Sequence, residues 1–180
     1  VRPAALVAPA ILVLGLGGCH AQPTADGAAP NAAEPATKPA AQTAAAERTS
    51  PVSGLPIVPL EIRSGGQVHR FDVEVARTEQ EQAYGLMNRQ TLGPGEGMVF
   101  PFPKPRPASF WMKNTLIPLD MLFVRADGTI ARIATARPLS LDPVQVGEPV
   151  AAVLEIPGGR AAELGIGTDA RVSWPGGPTP

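Results

Sequence analysis

The sequence predicts a mainly β domain, a small β-sandwich or distorted barrel with one or two short helices, preceded by an export signal and a long tether. Three observations carry that expectation. Prolines (22) and glycines (19) punctuate the 180 residues too densely for long helices. Every aromatic residue, from Phe71 to Trp174, and all 4 methionines lie in the C-terminal part, so any core is built there. Short alternating or apolar runs separated by turn signals recur from residue 57 onward.

The first segment is not part of that core. Arg2 precedes an apolar run from Ala4 to Leu16, the length of a signal-peptide core and short of the roughly 20 residues that span a bilayer. It ends in Leu16-Gly17-Gly18-Cys19, which resembles the lipobox of bacterial lipoproteins, and Cys19 is the only cysteine. We therefore expect residues 1–18 to be a lipoprotein signal peptide and Cys19 to be lipidated, several acyl chains giving a stable anchor in the cell envelope. His20 stands where an inner-membrane retention signal would place aspartate; by resemblance to sorting rules this favours the periplasmic face of the outer membrane. Residues 19–54 read as the lipidated cysteine and a disordered tether. They are alanine-rich, interrupted by Pro23, Pro30, Pro35 and Pro39, and have no periodic large apolar side chains to offset the cost of ordering, about 1–2 kcal/mol per residue.

Residues 55–175 form the expected single domain, with 176–180 as a tail. Ile57–Ile62 and Val68–Val75 make a hairpin across Ser64-Gly65-Gly66; in its second strand Phe71, Val73 and Val75 alternate with Arg70, Asp72 and Glu74, so one face is buried. Thr78 and Glu81 have capping-box spacing and Gly85 supplies a stop, which predicts a helix over 79–84. Gly97–Phe102 and Ser109–Lys113 read as strands. Pro101, Pro103, Pro105 and Pro107 each remove a ladder donor, so this stretch must lie at an edge or leave the sheet. Asp127-Gly128 joins strands Pro118–Arg125 and Thr129–Thr135. Residues 138–149 are loop-rich; Val150–Ile156 is a strand, Gly159–Leu164 a helical turn or two, and Ala170–Trp174 the last strand. No helical segment is long enough for repeated βαβ crossovers.

Composition narrows the function. With 16 acidic and 15 basic residues the formal charge is -1, so nucleic acid is not an expected partner. One cysteine and two separated histidines, His20 and His69, form no metal motif, and no phosphate-binding loop, nucleophile elbow or zinc helix is present; neither metal nor cofactor is expected.

Gly85-Leu86-Met87-Asn88-Arg89, Gly97-Met98-Val99-Phe100, Phe110-Trp111-Met112-Lys113-Asn114-Thr115, Ile117-Pro118-Leu119-Asp120 and Val153-Leu154-Glu155-Ile156 occur in order at characteristic spacing. Together they resemble the bacterial and archaeal family catalogued as domain of unknown function 192, across roughly residues 57–174. Glu155, Gly159 and Gly165 also fit its C-terminal pattern, while Pro157-Gly158 departs from it. The resemblance implies an all-β domain with small helices, exported in many members, and carries over no catalytic or ligand residues.

Candidate binding residues come from the strands. Period-two geometry over Phe110–Asn114 puts Phe110, Met112 and Asn114 on one side and Trp111 with Lys113 on the other, where a large aromatic beside a cation can line a groove. Asp120, Arg89 and Glu155 are the charged groups the fold can bring to it, Lys113, Arg89 or backbone N–H groups being the partners expected for Asp120. The alternative is structural: a locally satisfied tryptophan, a lysine lying over apolar surface, and Asn114 in a turn. Three functions follow as expectations. The first is an envelope-anchored domain binding a small molecule or glycan; the second is an interaction or assembly module for an envelope protein. The third is a hydrolase-like enzyme using Asp120 and Glu155.

Overall fold

The computed structural model of this protein describes residues 48–178; the signal, Cys19 and nearly all of the tether lie outside the described residues. Ten strands and two short helices follow one another as β1 (Arg48–Thr49), β2 (Pro56–Ser64), β3 (Gln67–Val75), α1 (Glu79–Tyr84), β4 (Glu96–Arg106), β5 (Ser109–Phe110), β6 (Leu119–Val124), β7 (Ile130–Ala136), β8 (Val144–Gln145), β9 (Val150–Pro157), α2 (Arg160–Glu163) and β10 (Arg171–Ser173). Eight strands form one sheet in the order β1-β2-β3-β4-β9-β6-β7, with β10 also on β2; β5 and β8 form a second, two-stranded sheet. The expected mainly β, small sandwich-like fold is the one observed. A bridge between Thr129 and Arg171 brings the segment before β7 to β10, drawing the two ends of the large sheet together.

The hairpins follow from local chemistry. β2 and β3 pair antiparallel from Ile57 with Glu74 to Ser64 with Gln67. Between β6 and β7, Gly128 takes φ 83 and a Cβ there would lie 2.7 Å from the Val172 carbonyl oxygen, so glycine is required twice over. Helix α1 has the expected capping box: the Thr78 hydroxyl accepts from the Glu81 N–H, and the Glu81 carboxylate accepts from the Thr78 N–H. Those backbone bonds, from Thr78 first and Arg77 next, hold the Glu81 carboxyl below its ordinary range.

Two features depart from expectation. β3 and β4 are parallel, so the short α1 segment serves as a crossover; a six-residue helix suffices because the connection runs about 20 residues in all, above the dozen that parallel pairing needs. Ordered structure also begins before residue 55: β1 pairs with β2, Arg48 makes a two-pronged ion pair with Asp72, and Ser50 and Ser53 donate to Glu74.

Alternation along β6 and β9 divides the core between the faces of the large sheet. Leu60, Ile62, Val73, Leu122, Leu154 and Ile156 pack with Trp174 on one face. Met98, Phe100, Met121, Phe123 and Val153 pack on the other, beneath Met112 and Ala108. The second face carries the cleft described next.

Candidate functional site

A cleft of about 730 Å³ opens between α1, the second half of β4 and the segment around β5. Its position follows from proline placement. β4 pairs regularly with β9 from Met98 to Pro101, then the register breaks until Arg106, as expected of a strand carrying Pro101, Pro103 and Pro105. The peeled half offers Phe102, Pro103 and Arg106 as one wall.

The opposite wall comes from the end of β5 and the turn after it. The strand expected over Ser109–Lys113 stops at Phe110. Met112 donates its N–H to the Ser140 carbonyl and is fully buried, while Asn114 adopts a left-handed φ of 55, which ends extended structure. Trp111 is thereby left 53% exposed, facing a rim that also carries Tyr84, 55% exposed. Deeper in, Phe110 stands edge-on to Phe100 with ring centroids 5.1 Å apart. The Lys113 ammonium lies 5.3 Å from the Trp111 ring centroid, and the Arg106 guanidinium lies 4.0 Å over Phe102.

Glu155 completes the site. Cross-strand pairing places it in one row with Met98 on β4 and Met121 on β6, and Glu74 on β3 occupies the same row beyond Met98. Gly97 permits this close packing, because a Cβ there would lie 2.5 Å from the Glu155 carbonyl oxygen. Glu74 was expected to face outward with Arg70 and Asp72 but is buried, because the Ser50–Ser53 segment and Arg89 cover it. Its carboxylate is satisfied by Arg89 at 2.5 Å, the Ser50 hydroxyl at 3.0 Å and the Ser53 hydroxyl at 2.5 Å. Glu155, 4% exposed, has no such partner among the described residues, and burial alone pushes its carboxyl up to about 8. At neutral pH it is a neutral acid, a hydrogen-bond donor without an acceptor among the described residues.

Of the six residues expected from sequence, Trp111, Lys113 and Glu155 line this cleft and the other three do not. Arg89 is committed to Glu74 on a separate depression. Asn114 is exposed; its side-chain amide contacts the Met87 sulfur and its carbonyl accepts from the Asn88 N–H. Asp120 is buried on the opposite face of the sheet, since it pairs with Ile156 while its neighbour Met121 pairs with Glu155. It accepts from the Thr135 hydroxyl at 2.6 Å and from the N–H groups of Gly159 and Ala161 at 2.9 and 2.8 Å. Two backbone N–H groups and the Thr135 hydroxyl, not Lys113, are therefore its partners. The expected acid/base pair of Asp120 and Glu155 does not exist, because one sheet separates the two carboxyls.

Arg77, Tyr84 and Arg106 also line the cleft and were not expected to. Arg106 stands between Pro105 and Pro107 in the proline-dense stretch, but nothing local shows that the peeled strand folds over aromatic rings. Among the described residues no three His, Cys, Asp or Glu side chains gather as metal ligands. No described helix is long and apolar enough to cross a membrane.

Comparison with known proteins fits this architecture. Residues 60–174 match the DUF192 family, described as Uncharacterized ACR. The chain belongs to the DUF192 family. The crystal structure of a Novosphingobium aromaticivorans protein of unknown function is 48% identical, with a TM-score of 0.70, covering 73% of this chain and 94% of that one. A Sinorhizobium meliloti protein described as a candidate transcription regulator is 38% identical with a TM-score of 0.65, covering 67% of this chain and 95% of that one. No protein of curated function is matched.

Proposed function

We propose that this DUF192 domain is a small-molecule-binding module held at the cell envelope by lipid on Cys19, its ligand occupying the cleft between α1, β4 and β5. The observation that carries the binding reading is Glu155: a largely buried carboxyl, without a hydrogen-bond partner among the described residues and opening onto a concave aromatic site, is the arrangement a bound ligand would complete. A free glycan is the nearest variant, since the half-exposed Trp111 and Tyr84 could stack on a sugar face. The regulator description of the Sinorhizobium protein is not extended to this chain, whose formal charge of -1 supplies no general attraction to DNA.

A metabolite and oligosaccharide screen by thermal shift on the intact chain tests this reading. A true ligand loses at least about tenfold affinity, roughly 1.4 kcal/mol, in a folded Trp111→Ala variant. Unchanged affinity would place the ligand elsewhere. The anchor is tested separately: Cys19→Ser should leave unprocessed, unlipidated precursor, read by intact mass and detergent-phase partitioning. Normal processing and no change in partitioning would refute lipidation.

A second reading as an interaction module rests on Leu116, Leu139 and Leu141, all exposed. Bonds from Leu139 N–H to the Thr115 carbonyl and from Met112 N–H to the Ser140 carbonyl bring their two segments together.

A further inference from the structure

Resting on the binding reading above, we infer that the cleft takes a flat-ringed organic anion. Its charged group meets Arg77, Arg106 and Lys113, its ring lies against Trp111, and one anionic oxygen accepts the Glu155 acid proton.

Charge pairing is the first argument. Outside the cleft, Arg48, Arg63, Arg70, Arg89, Arg125 and Arg160 pair with carboxylates, while the scattered Lys104, Arg132, Arg137 and Arg171 have no such partner among the described residues. Arg77, Arg106 and Lys113 line it, and none has a carboxylate partner among the described residues. Three cations around one concavity repel one another and concentrate an anion. Glu79 is the only other acidic residue lining the cleft, and it is exposed on α1.

Polar capacity is the second. A sugar needs several hydrogen-bonding side chains, and two of the neutral ones present are already engaged. The Gln82 amide nitrogen donates to the carbonyls of Ala76 and Pro101, and the Thr115 hydroxyl donates to the Lys113 carbonyl. Ser109, Glu155, the Tyr84 O–H and the Trp111 indole N–H are left to meet a ligand beside the cations and the ring faces. That inventory suits one anionic group on an otherwise apolar, planar frame, with Trp111 offering a ring face already polarised by Lys113.

Glu155 sets how such binding depends on pH. A neutral acid donates to the anion, whereas an ionised one would repel it, so affinity should fall as Glu155 loses its proton near pH 8. The other charged or titratable groups facing the cleft are Arg77, Glu79 and Tyr84 from α1 and its start, Arg106 from β4 and Lys113 after β5.

The test is calorimetric titration of the intact chain with 2-naphthoate, its neutral isostere 2-naphthamide, and 2-naphthyl phosphate. We expect naphthoate to bind at least about tenfold tighter than the amide at pH 6.5, and to weaken by about tenfold per pH unit above pH 8. The phosphate arm distinguishes a carboxylate from a phosphate source of the anion. Glu155→Gln should keep binding at pH 6.5 and lose the alkaline decline, and Arg106→Gln with Lys113→Met should abolish the preference for naphthoate over the amide. Equal binding of naphthamide overturns the anion inference and leaves the binding reading intact; an alkaline decline that survives Glu155→Gln overturns the role of Glu155. Should no anion bind while a neutral sugar does so through Trp111, the inference falls alone. Should no compound in the broad screen bind at all, the binding reading falls with it.

Discussion

Asp120→Ala should cost about 3–5 kcal/mol of folding stability, the behaviour of a buried carboxylate whose partners are left unpaired. The reason lies in α2. Its N-cap is Gly159, with φ 85 and no side chain to accept from the first-turn N–H groups. Asp120, 39 residues earlier, supplies that acceptor from β6, its Oδ1 taking the Gly159 N–H together with the Thr135 hydroxyl of β7 and its Oδ2 taking the Ala161 N–H. One side chain thus joins β6, β7 and the β9–α2 connection. Alanine would leave two backbone donors in a region where Ala161 is 2% exposed and water cannot readily replace the lost oxygen atoms. Asp120→Asn should cost less, since one oxygen remains, but its amide nitrogen would confront a donor. Chemical denaturation measures both, and a loss below about 1 kcal/mol for the alanine variant would contradict this account. Lys113→Met should show coupling below about 0.5 kcal/mol with Asp120→Ala, because the two side chains lie on opposite faces of the sheet.

The same residue shows where sequence reading succeeds and where it stops. Thr78 with Glu81, and Asp127 with Gly128, act within a few residues of themselves, so their chemistry can be read directly and the capping box and hairpin appear as expected. The proline-dense half of β4 is legible for the same reason: a missing N–H is a property of the residue, wherever the strand sits. Grouping Asp120 with Glu155 needed something else, the register between β6 and β9, and a shift of one residue decides which face each side chain occupies. Glu74 failed through coverage. Alternation placed it opposite Phe71 and Val73 correctly, but the outer face of β3 is not solvent there, since residues 50–53 and Arg89 lie over it. Glu74 and Glu155 share one row of one sheet with Met98 between them, yet only Glu74 has a cation. A fold that can pair one buried glutamate in that row and leaves the next facing an aromatic cleft separates a structural carboxylate from a candidate ligand contact more sharply than either residue type could in sequence.

That unpaired acid should also shape the stability of the domain against pH. Burial raises the Glu155 carboxyl from 4.5 to about 8 in the folded protein, while the unfolded chain keeps the ordinary value. Between those limits the native state holds a proton that the unfolded state has released, so stability falls as pH rises, by at most roughly 1.4 kcal/mol per pH unit. The summed loss is on the order of a few kcal/mol across the interval, complete above the folded value and absent below the unfolded one. Other carboxylates act with the opposite sign. Asp72 is held below its ordinary range by hydrogen bonding and charge from Arg48, Asp127 by hydrogen bonds from Thr129, and Glu148 by Arg125, so their contributions are lost only as pH falls through the acidic range. The two trends place maximum stability at about pH 5, with a decline toward pH 8 that one residue causes. Urea denaturation at intervals from pH 4 to 9 should show that decline in the native sequence and a nearly level profile in Glu155→Gln, which keeps a neutral hydrogen-bonding group in the same volume. A variant that retains the full decline would assign it to another group, whereas a level profile together with higher stability at pH 8 would identify Glu155 as an acid whose missing partner costs the free protein stability.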